Sequence, residues 1–264
     1  GIIIQLPLPD HLPEENLLQM VSPDKDVDGF HALNIARLVS RPVMTPDELE
    51  EQLEENTSIG MDQYLDNTSS DNITLVKKIQ KKIVSYSRRE KGFLPCTPKG
   101  IVTLLDSYNF KSQGKKAVIV GCGRVGRPLG LMLLTRGMTV DYIDRYSRRI
   151  DMIKRVREAD LLVVAVGIRG IIDSGLISSD TVVVDVGIHQ TPTGKTVGDL
   201  VLKNLLQNEK DGLLTGVSRT PVPGGVGPMT VAMLLENTVV SWIRMLEKDT
   251  HSTQNQSMVL GIGN

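Results

Sequence analysis

Ala117-Val118-Ile119-Val120-Gly121-Cys122-Gly123-Arg124-Val125-Gly126 runs from small and β-branched apolar residues into three glycines spaced G-x-G-x-x-G. A short apolar run closed by glycine reads as a strand buried on both faces. The residues after it, 125–136, carry Leu and Met at helical spacing. The stretch is therefore a strand, a tight turn and a helix. Working outward, the alternation repeats. Strands are expected at 116–120, 139–143, 161–166 and 181–186, and helices at 125–136 and 150–157. Near-continuous Val/Ile/Leu strands that alternate with helices mean a parallel sheet covered on both faces. The fold class expected is α/β, with a Rossmann-type doubly wound parallel sheet.

In that context the glycine spacing carries chemistry. Gly121 permits the tight turn, Gly123 lets backbone approach a pyrophosphate, and Gly126 lets the helix pack close to the sheet. The helix N-terminus offers unpaired N–H groups and positive dipole to phosphates. Cys122 and Arg124 lie in the same turn. Asp144 ends the next strand, twenty-three positions after Gly121, near the ~20 expected for an acid that holds the adenosine ribose. That acid favours NAD over NADP. Arg145, Arg148 and Arg149 follow at once, and guanidinium groups clamp phosphates, so NADP stays open, as does a pairing of Asp144 with one of them. Cys122 is either a redox-sensitive thiol or a passive small residue of the turn; the second is expected.

Composition narrows the rest. With 30 basic and 31 acidic residues, the chain has no global field that would draw nucleic acid or an anionic membrane. Aromatic residues make up 3%, too few for a base-stacking platform. Two cysteines, Cys96 and Cys122, do not make a disulfide scaffold, and a reducing compartment is expected. His11, His31, His189 and His251 have no metal-ligand spacing, so no metal is expected. No apolar run is expected to span a bilayer.

Elsewhere, the β-branched run at 2–6 reads as a buried strand ended by Pro7 and Pro9. A short helix is expected at 14–20, and an acidic loop at 22–30. Thr45-Pro46-Asp47-Glu48 is a capping box with proline at the first helical position. The acidic stretch through Glu55 continues that helix, 56–72 is a polar loop, and 73–83 is a lysine-rich helix. Thr97 caps, and Pro98 opens, a helix to about 108. A long closing helix covers 230–246, and 251–264 is a polar, frayed tail.

Three stretches resemble one family. They are Gly1-Ile2-Ile3-Ile4-Gln5-Leu6-Pro7-Leu8-Pro9, then Lys25-Asp26-Val27-Asp28-Gly29-Phe30 with Asn34 and Arg37, and Thr220-Pro221-Val222-Pro223-Gly224-Gly225-Val226-Gly227-Pro228-Met229-Thr230. Pro95-Cys96-Thr97-Pro98-Lys99-Gly100 and Asp185-Val186-Gly187-Ile188 also fit. The set resembles the bifunctional methylenetetrahydrofolate dehydrogenase/cyclohydrolase family over nearly the whole chain except 41–92 and the tail.

The resemblance implies a dinucleotide-binding domain at 101–225 and a partial α/β catalytic, folate-binding domain at 1–100 that carries the insertion 41–92. It implies a C-terminal helix at 226–248 that returns to the catalytic part, with 249–264 as a flexible tail, and a cleft between the domains that binds tetrahydrofolate. It implies NAD(P)-dependent oxidation of 5,10-methylenetetrahydrofolate and hydrolysis of the product to 10-formyltetrahydrofolate. Substrate contacts would fall on Ile4, Gln5, Leu6, Asp28, Pro223, Gly224, Gly225, Val226 and Gly227, and Ile188 would join the cofactor site. Asp28 would hold the pterin, whose amino-amide edge offers two donors to one carboxylate. A homodimer and a cytoplasmic or mitochondrial location are implied too. Read locally, Gln5 is a strand-edge polar residue, Asp28 an Asx-turn former and the glycine turn a connector.

The departures bear on activity. The family's Tyr-x-x-x-Lys motif, whose lysine manages protons in the hydrolysis, would lie upstream of Gly1. Tyr64, Tyr86 and Tyr108 do not stand four residues before a lysine. The chain is thus expected to be a fragment, with a short paralogue as the alternative. The family's Gly-Arg-Ser turn is replaced by the shorter Gly121-Cys122-Gly123, and Arg145 stands where a family serine is usual. The alternative functions are a non-catalytic dinucleotide- and folate-binding subunit, and an unrelated α/β dehydrogenase, which the Pro223–Gly227 stretch disfavours.

Overall fold

A computed structural model describes residues 1–45, 47, 48, 51 and 92–260, of which 247–260 are described as helix only. The expected loop at 56–72 and helix at 73–83 lie outside the described residues, as does the acidic stretch beyond Glu51. The capping box is present: the Thr45 N–H donates to Glu48 Oε2 (2.8 Å) and the Glu48 N–H to Thr45 Oγ1 (3.3 Å).

The described residues form two compact units. The larger takes in residues 38–51 as far as described and Thr97–Ala232. Its strands are β1 (Lys116–Val120), β2 (Thr139–Ile143), β3 (Leu161–Val164), β4 (Val182–Asp185), β5 (His189–Gln190), β6 (Thr196–Val197) and β7 (Ser218–Arg219). Five of them pair in parallel in the order β2-β1-β3-β4-β7, and β5 and β6 form a small antiparallel hairpin. Side-chain alternation explains why β1 is apolar throughout. Val118 and Val120 join a core with Val156 of α5 (Arg149–Arg157) and Leu205 of α6 (Lys203–Lys210). Ile119 points the other way, toward α4 (Gly126–Leu134): its Cδ1 would lie 3.3 Å from a Cβ added at Gly130. Helices thus cover both faces, and the sheet is doubly wound.

Strand β3 ends at Val164, two residues short of expectation: the Ala165 N–H still donates to the Val120 carbonyl (2.8 Å), but the N–H groups after it turn to another acceptor. The Val166 and Gly167 N–H groups both donate to the Asp199 carboxylate at 3.0 Å. Strand β4 is shortened by one residue at each end. The helix expected to open at Pro98 with Thr97 as its cap starts two residues earlier, as α3 (Cys96–Ser107). Thr97 therefore lies inside the first turn, where Pro98 removes no needed hydrogen bond. An ion pair buried on both sides joins Arg136, after α4, to Asp106 of α3, with Nη1–Oδ1 at 2.6 Å and Nη2–Oδ2 at 2.9 Å.

The smaller unit takes in Gly1–Arg37, residues 92–96 and the chain from Met233 onward. It holds α1 (Glu14–Met20), as expected, and most of α2 (Ala32–Val39). Residues 2–6 correct the sequence reading. They make one parallel bridge, Ile2 to Asp26, and Ile2 and Ile3 are exposed. A strand exists through its partners, and among the described residues this run has no ladder to join.

The closing helix is longer than expected: α7 runs Val226–Leu260, so 251–260 are helical rather than a frayed tail. Pro228 sits in its first turn, where no N–H is required. Contrary to expectation, its stretch Val226–Leu246 is apolar and long enough to cross a membrane by those two measures. Its polar residues nonetheless serve packing within the smaller unit. Asn237 Nδ2 donates to the carbonyls of Val27 (2.8 Å) and Leu94 (3.1 Å), Ser241 to Asp24 and Arg244 to Gly92.

Candidate functional site

The glycine turn leaves the carboxyl end of β1. Its chain neighbour β2 lies on one side and β3 on the other, so the turn stands where the winding reverses, the place at which open α/β sheets bind ligands. Each glycine has its own reason. Gly121 has φ +110°, and a Cβ there would fall 2.3 Å from the Ala165 carbonyl oxygen. A Cβ at Gly126 would fall 1.9 Å from the Gly121 oxygen. A Cβ at Gly123 would meet nothing within 4 Å, so the backbone there faces open space. The N-cap of α4, Val125, makes no side-chain cap. The first N–H groups of a helix lack intrahelical acceptors; here the Arg127 N–H donates to the Gly123 carbonyl (3.1 Å) and Pro128 has none, which leaves those of Val125 and Gly126 for an anion.

Asp144 follows β2. Its Oδ1 accepts from the Ser147 hydroxyl and from the Tyr146 N–H, both at 3.0 Å. Those bonds, the hydroxyl first, hold its carboxyl below the usual carboxylate range. The pairing with an arginine does not form. Arg148 instead bonds Asp151 at 2.7 and 3.1 Å, and Arg145 stacks its guanidinium 5.8 Å from the Tyr146 ring centre. Burial, then the nearby Asp144 charge, push the Cys122 thiol up. A thiol kept protonated is a poor nucleophile, which supports the passive reading.

Two carboxylates gather the loops that follow β3 and β4. Asp185 accepts the N–H groups of Asp199 (2.9 Å), Leu200 (3.0 Å) and Gly187 (3.1 Å). Asp199, wholly buried, takes the two loop N–H groups after β3 and sits 2.7 Å from His189 Nε2. Ile188 is exposed beside them. An open depression of about 690 Å³ lies next to the ends of β4 and β7, lined by Arg169, Asp185, Leu200, Arg219 and Thr220 among others. Asp199 was missed in the sequence. A lone Gly-Asp after a short polar hairpin carries no spacing that marks it.

The Pro223–Gly227 stretch belongs to the larger unit. Pro223 and Gly224 are exposed, Gly224 has φ +104°, and Gly225 and Val226 are buried. Gly225 is required by packing, since its Cβ would meet the Pro221 oxygen at 2.5 Å.

Ile4, Gln5, Leu6 and Asp28 belong to the smaller unit. Gln5 is exposed and turns its amide onto the Leu6 carbonyl (3.1 Å); Ile4 and Leu6 are half-buried. The loop around Asp28 is heavily braced. Asp26 accepts from the N–H groups of Gly29 and His31 and from Asn34 Nδ2 (3.1, 2.7 and 2.8 Å). The Cys96 N–H donates to the Asp28 carbonyl (3.2 Å). Burial pushes the Asp28 carboxyl up, the Cys96 thiol's hydrogen bond pulls it back, and the Asp26 charge adds to the rise. Among the described residues no cluster of three or more His, Cys, Asp or Glu could hold a metal.

Comparison with known proteins adds the following. The family described as tetrahydrofolate dehydrogenase/cyclohydrolase, NAD(P)-binding domain, matches residues 95–246. A relative from Campylobacter jejuni named bifunctional protein FolD is 37% identical over 242 residues; the match covers 91% of this chain and 66% of that relative's length. A crystal structure of the bifunctional methylenetetrahydrofolate dehydrogenase/cyclohydrolase from Campylobacter jejuni superposes with a TM-score of 0.66 at 35% identity, over 92% of this chain and 67% of that one. The Trypanosoma brucei dehydrogenase-cyclohydrolase, complexed with NADP cofactor and inhibitor, has a TM-score of 0.67 at 25% identity, over 93% of this chain and 67% of that one.

Proposed function

The chain belongs to the tetrahydrofolate dehydrogenase/cyclohydrolase family, and on that footing we propose that it binds a nicotinamide dinucleotide and a reduced folate. The reaction it serves is oxidation of 5,10-methylenetetrahydrofolate to the methenyl form, with hydrolysis to 10-formyltetrahydrofolate. The observation that carries this reading is the Gly121–Gly126 cradle. It stands at the reversal of a 2-1-3-4 sheet, inside the residues that the family matches. The residues fit the cofactor: Gly123 leaves room for a pyrophosphate, and the α4 N-terminus offers donors to it.

When bound, the nicotinamide ring supplies the hydride acceptor. The folate's two bridging nitrogens stabilise the cation left when hydride departs. This chain's residues hold and orient. The Gly121 turn takes the phosphates, Asp144 the adenosine ribose, and Asp28 the pterin edge. Gln5 and the Pro223–Gly227 loop are assigned to the rest of the folate, and Ile188 to the cofactor. The hydrolytic step asks for a proton-transfer group, and none of Tyr64, Tyr86 and Tyr108 stands four residues before a lysine. The same family reading carries a homodimer, which light scattering of the purified chain tests.

Titration with NADH and NADPH, followed by fluorescence, tests the cofactor reading; no binding of either at millimolar concentration rejects it. NAD remains favoured by Asp144, whose carboxylate repels a 2′-phosphate. With Arg148 held by Asp151, Arg145 is the arginine assigned to any phosphate at that position. Arg145→Ala should weaken NADPH and leave NADH unchanged; equal losses for both remove that role.

Asp28→Asn tests the pterin assignment. Hydrogen bonds to a charged group contribute about 1.5–3 kcal/mol each, so tetrahydrofolate affinity should fall at least tenfold. The wild type should also show a pH signature. Its raised carboxyl takes up a proton at a higher pH than an exposed aspartate near ~3.9. Folate affinity is therefore full above that raised value and falls as pH drops through it. A pH-independent affinity would contradict the assignment.

A further inference from the structure

We infer that Asp199 is a positioning residue for the dinucleotide, holding the loop after β3 in the shape that receives the nicotinamide half. The inference rests on the dinucleotide reading above and extends it to one residue. Asp199 is tied to that loop at three points. Its Oδ2 accepts from the Val166 and Gly167 N–H groups, and its carbonyl accepts from the Gly170 N–H (2.6 Å). Its Oδ1 meets His189 Nε2, and its own N–H is held by Asp185. Buried carboxylates persist only when so partnered.

The loop it shapes lies where the second half of the cofactor must go. Asp144 stands beyond β2, on one side of β1, and takes the adenosine end. A dinucleotide is two nucleotides joined at the pyrophosphate. With the pyrophosphate on the Gly121 turn, the other half extends over the opposite side, toward β3. The first residue past β3, Ala165, is the one whose carbonyl forbids a side chain at Gly121. Two residues on, Gly167 has φ +65° and open space where a Cβ would stand. At Gly167 the loop thus presents bare backbone, like that of Gly123. The same carboxylate also shapes the loop after β4, since a Cβ at Gly187 would fall 2.1 Å from Asp199 Oδ1. Ile188, assigned to the cofactor site, follows directly. Asp199 touches neither phosphate nor ring; it acts through the backbone of 166–168 and 187–188.

The test is Asp199→Asn, which keeps the size but turns one acceptor into a donor, so that the two loop N–H groups lose a charged acceptor and His189 can meet the new NH2 only through an unprotonated Nε2. Affinities are measured for NADH or NADPH and for ADP, which occupies only the adenosine and phosphate subsites. The expected result is a split: dinucleotide affinity falls about tenfold or more, while ADP binds as in the wild type. Equal weakening of both ligands, or no weakening of either, overturns the inference and makes the carboxylate purely structural. If Asp199→Asn does not fold, His189→Ala loosens the same clasp from its half-exposed side. It should weaken the dinucleotide but not ADP, and an equal loss of both again overturns the role. A wild-type chain that binds neither ligand fails earlier, on the dinucleotide reading itself.

Discussion

A Gly126→Ala chain should lose dinucleotide affinity by at least about 100-fold while its other unit remains folded. The Cβ would stand 1.9 Å from the Gly121 carbonyl oxygen and 3.2 Å from Ile119 Cγ2. The first obstacle is backbone, held by the Gly121 N–H bond to Ile143, and cannot swing aside as a side-chain tip can. Relief requires α4 to slide away from β1, and its N-terminal N–H groups then leave the phosphate position. Each such bond to a charged oxygen contributes about 1.5–3 kcal/mol, and loss of two is worth at least 100-fold in affinity. Overpacking of this kind also costs about 1–3 kcal/mol of stability. Titration with NADH and NADPH beside a thermal melt separates the two effects. An alanine variant that binds as tightly as the parent would show that α4 does not bear on the cofactor.

The largest stability loss should come from Asp106→Ala. It takes the carboxylate that makes two hydrogen bonds to Arg136 out of a site where the arginine's side-chain exposure is only 7%. Burial already pushes that guanidinium down, and Asp106 is what offsets the push. Breaking one side of a buried pair costs about 3–5 kcal/mol, because the remaining charge is left uncompensated. For a unit of this size that is a Tm lowered by roughly 6–20 °C. The double change Asp106→Leu with Arg136→Met should be less harmful than either single change, since no lone charge remains. A single variant that melts with the parent would mean that Asp106 is not what offsets the arginine's burial. Dinucleotide affinity should be unchanged at temperatures where the variant is folded.

Strands β1 and β2 were readable to the residue, and β3 and β4 to within one or two. Their run of Val, Ile and Leu demands cover on both faces, and the glycines after β1 leave few other turns available. Strands β5, β6 and β7 were not readable. Each is two residues long, and pairing across the fold, not local preference, makes them strands. Residues 2–6 failed for the same reason in reverse: the composition of a strand is present, yet a ladder needs a neighbour. The end of α7 was misjudged because polar residues at 251–260 suggested fraying, whereas a helix that continues an established one needs no new nucleus.

The candidate site divides along the same line. Gly121, Gly123, Gly126 and Asp144 form a local pattern, so their spacing along the chain was enough to place them at the ends of β1 and β2. The setting of Asp28 came only with the fold, because it depends on Cys96, which is distant in sequence. The same holds for Asp199. A carboxylate acquires its role from the N–H groups that reach it, and those of Val166 and Gly167 come from 33 and 32 residues away. Backbone chemistry within a turn is written in adjacent residues; the burial and partnering of a single polar side chain are decided only when remote segments close around it.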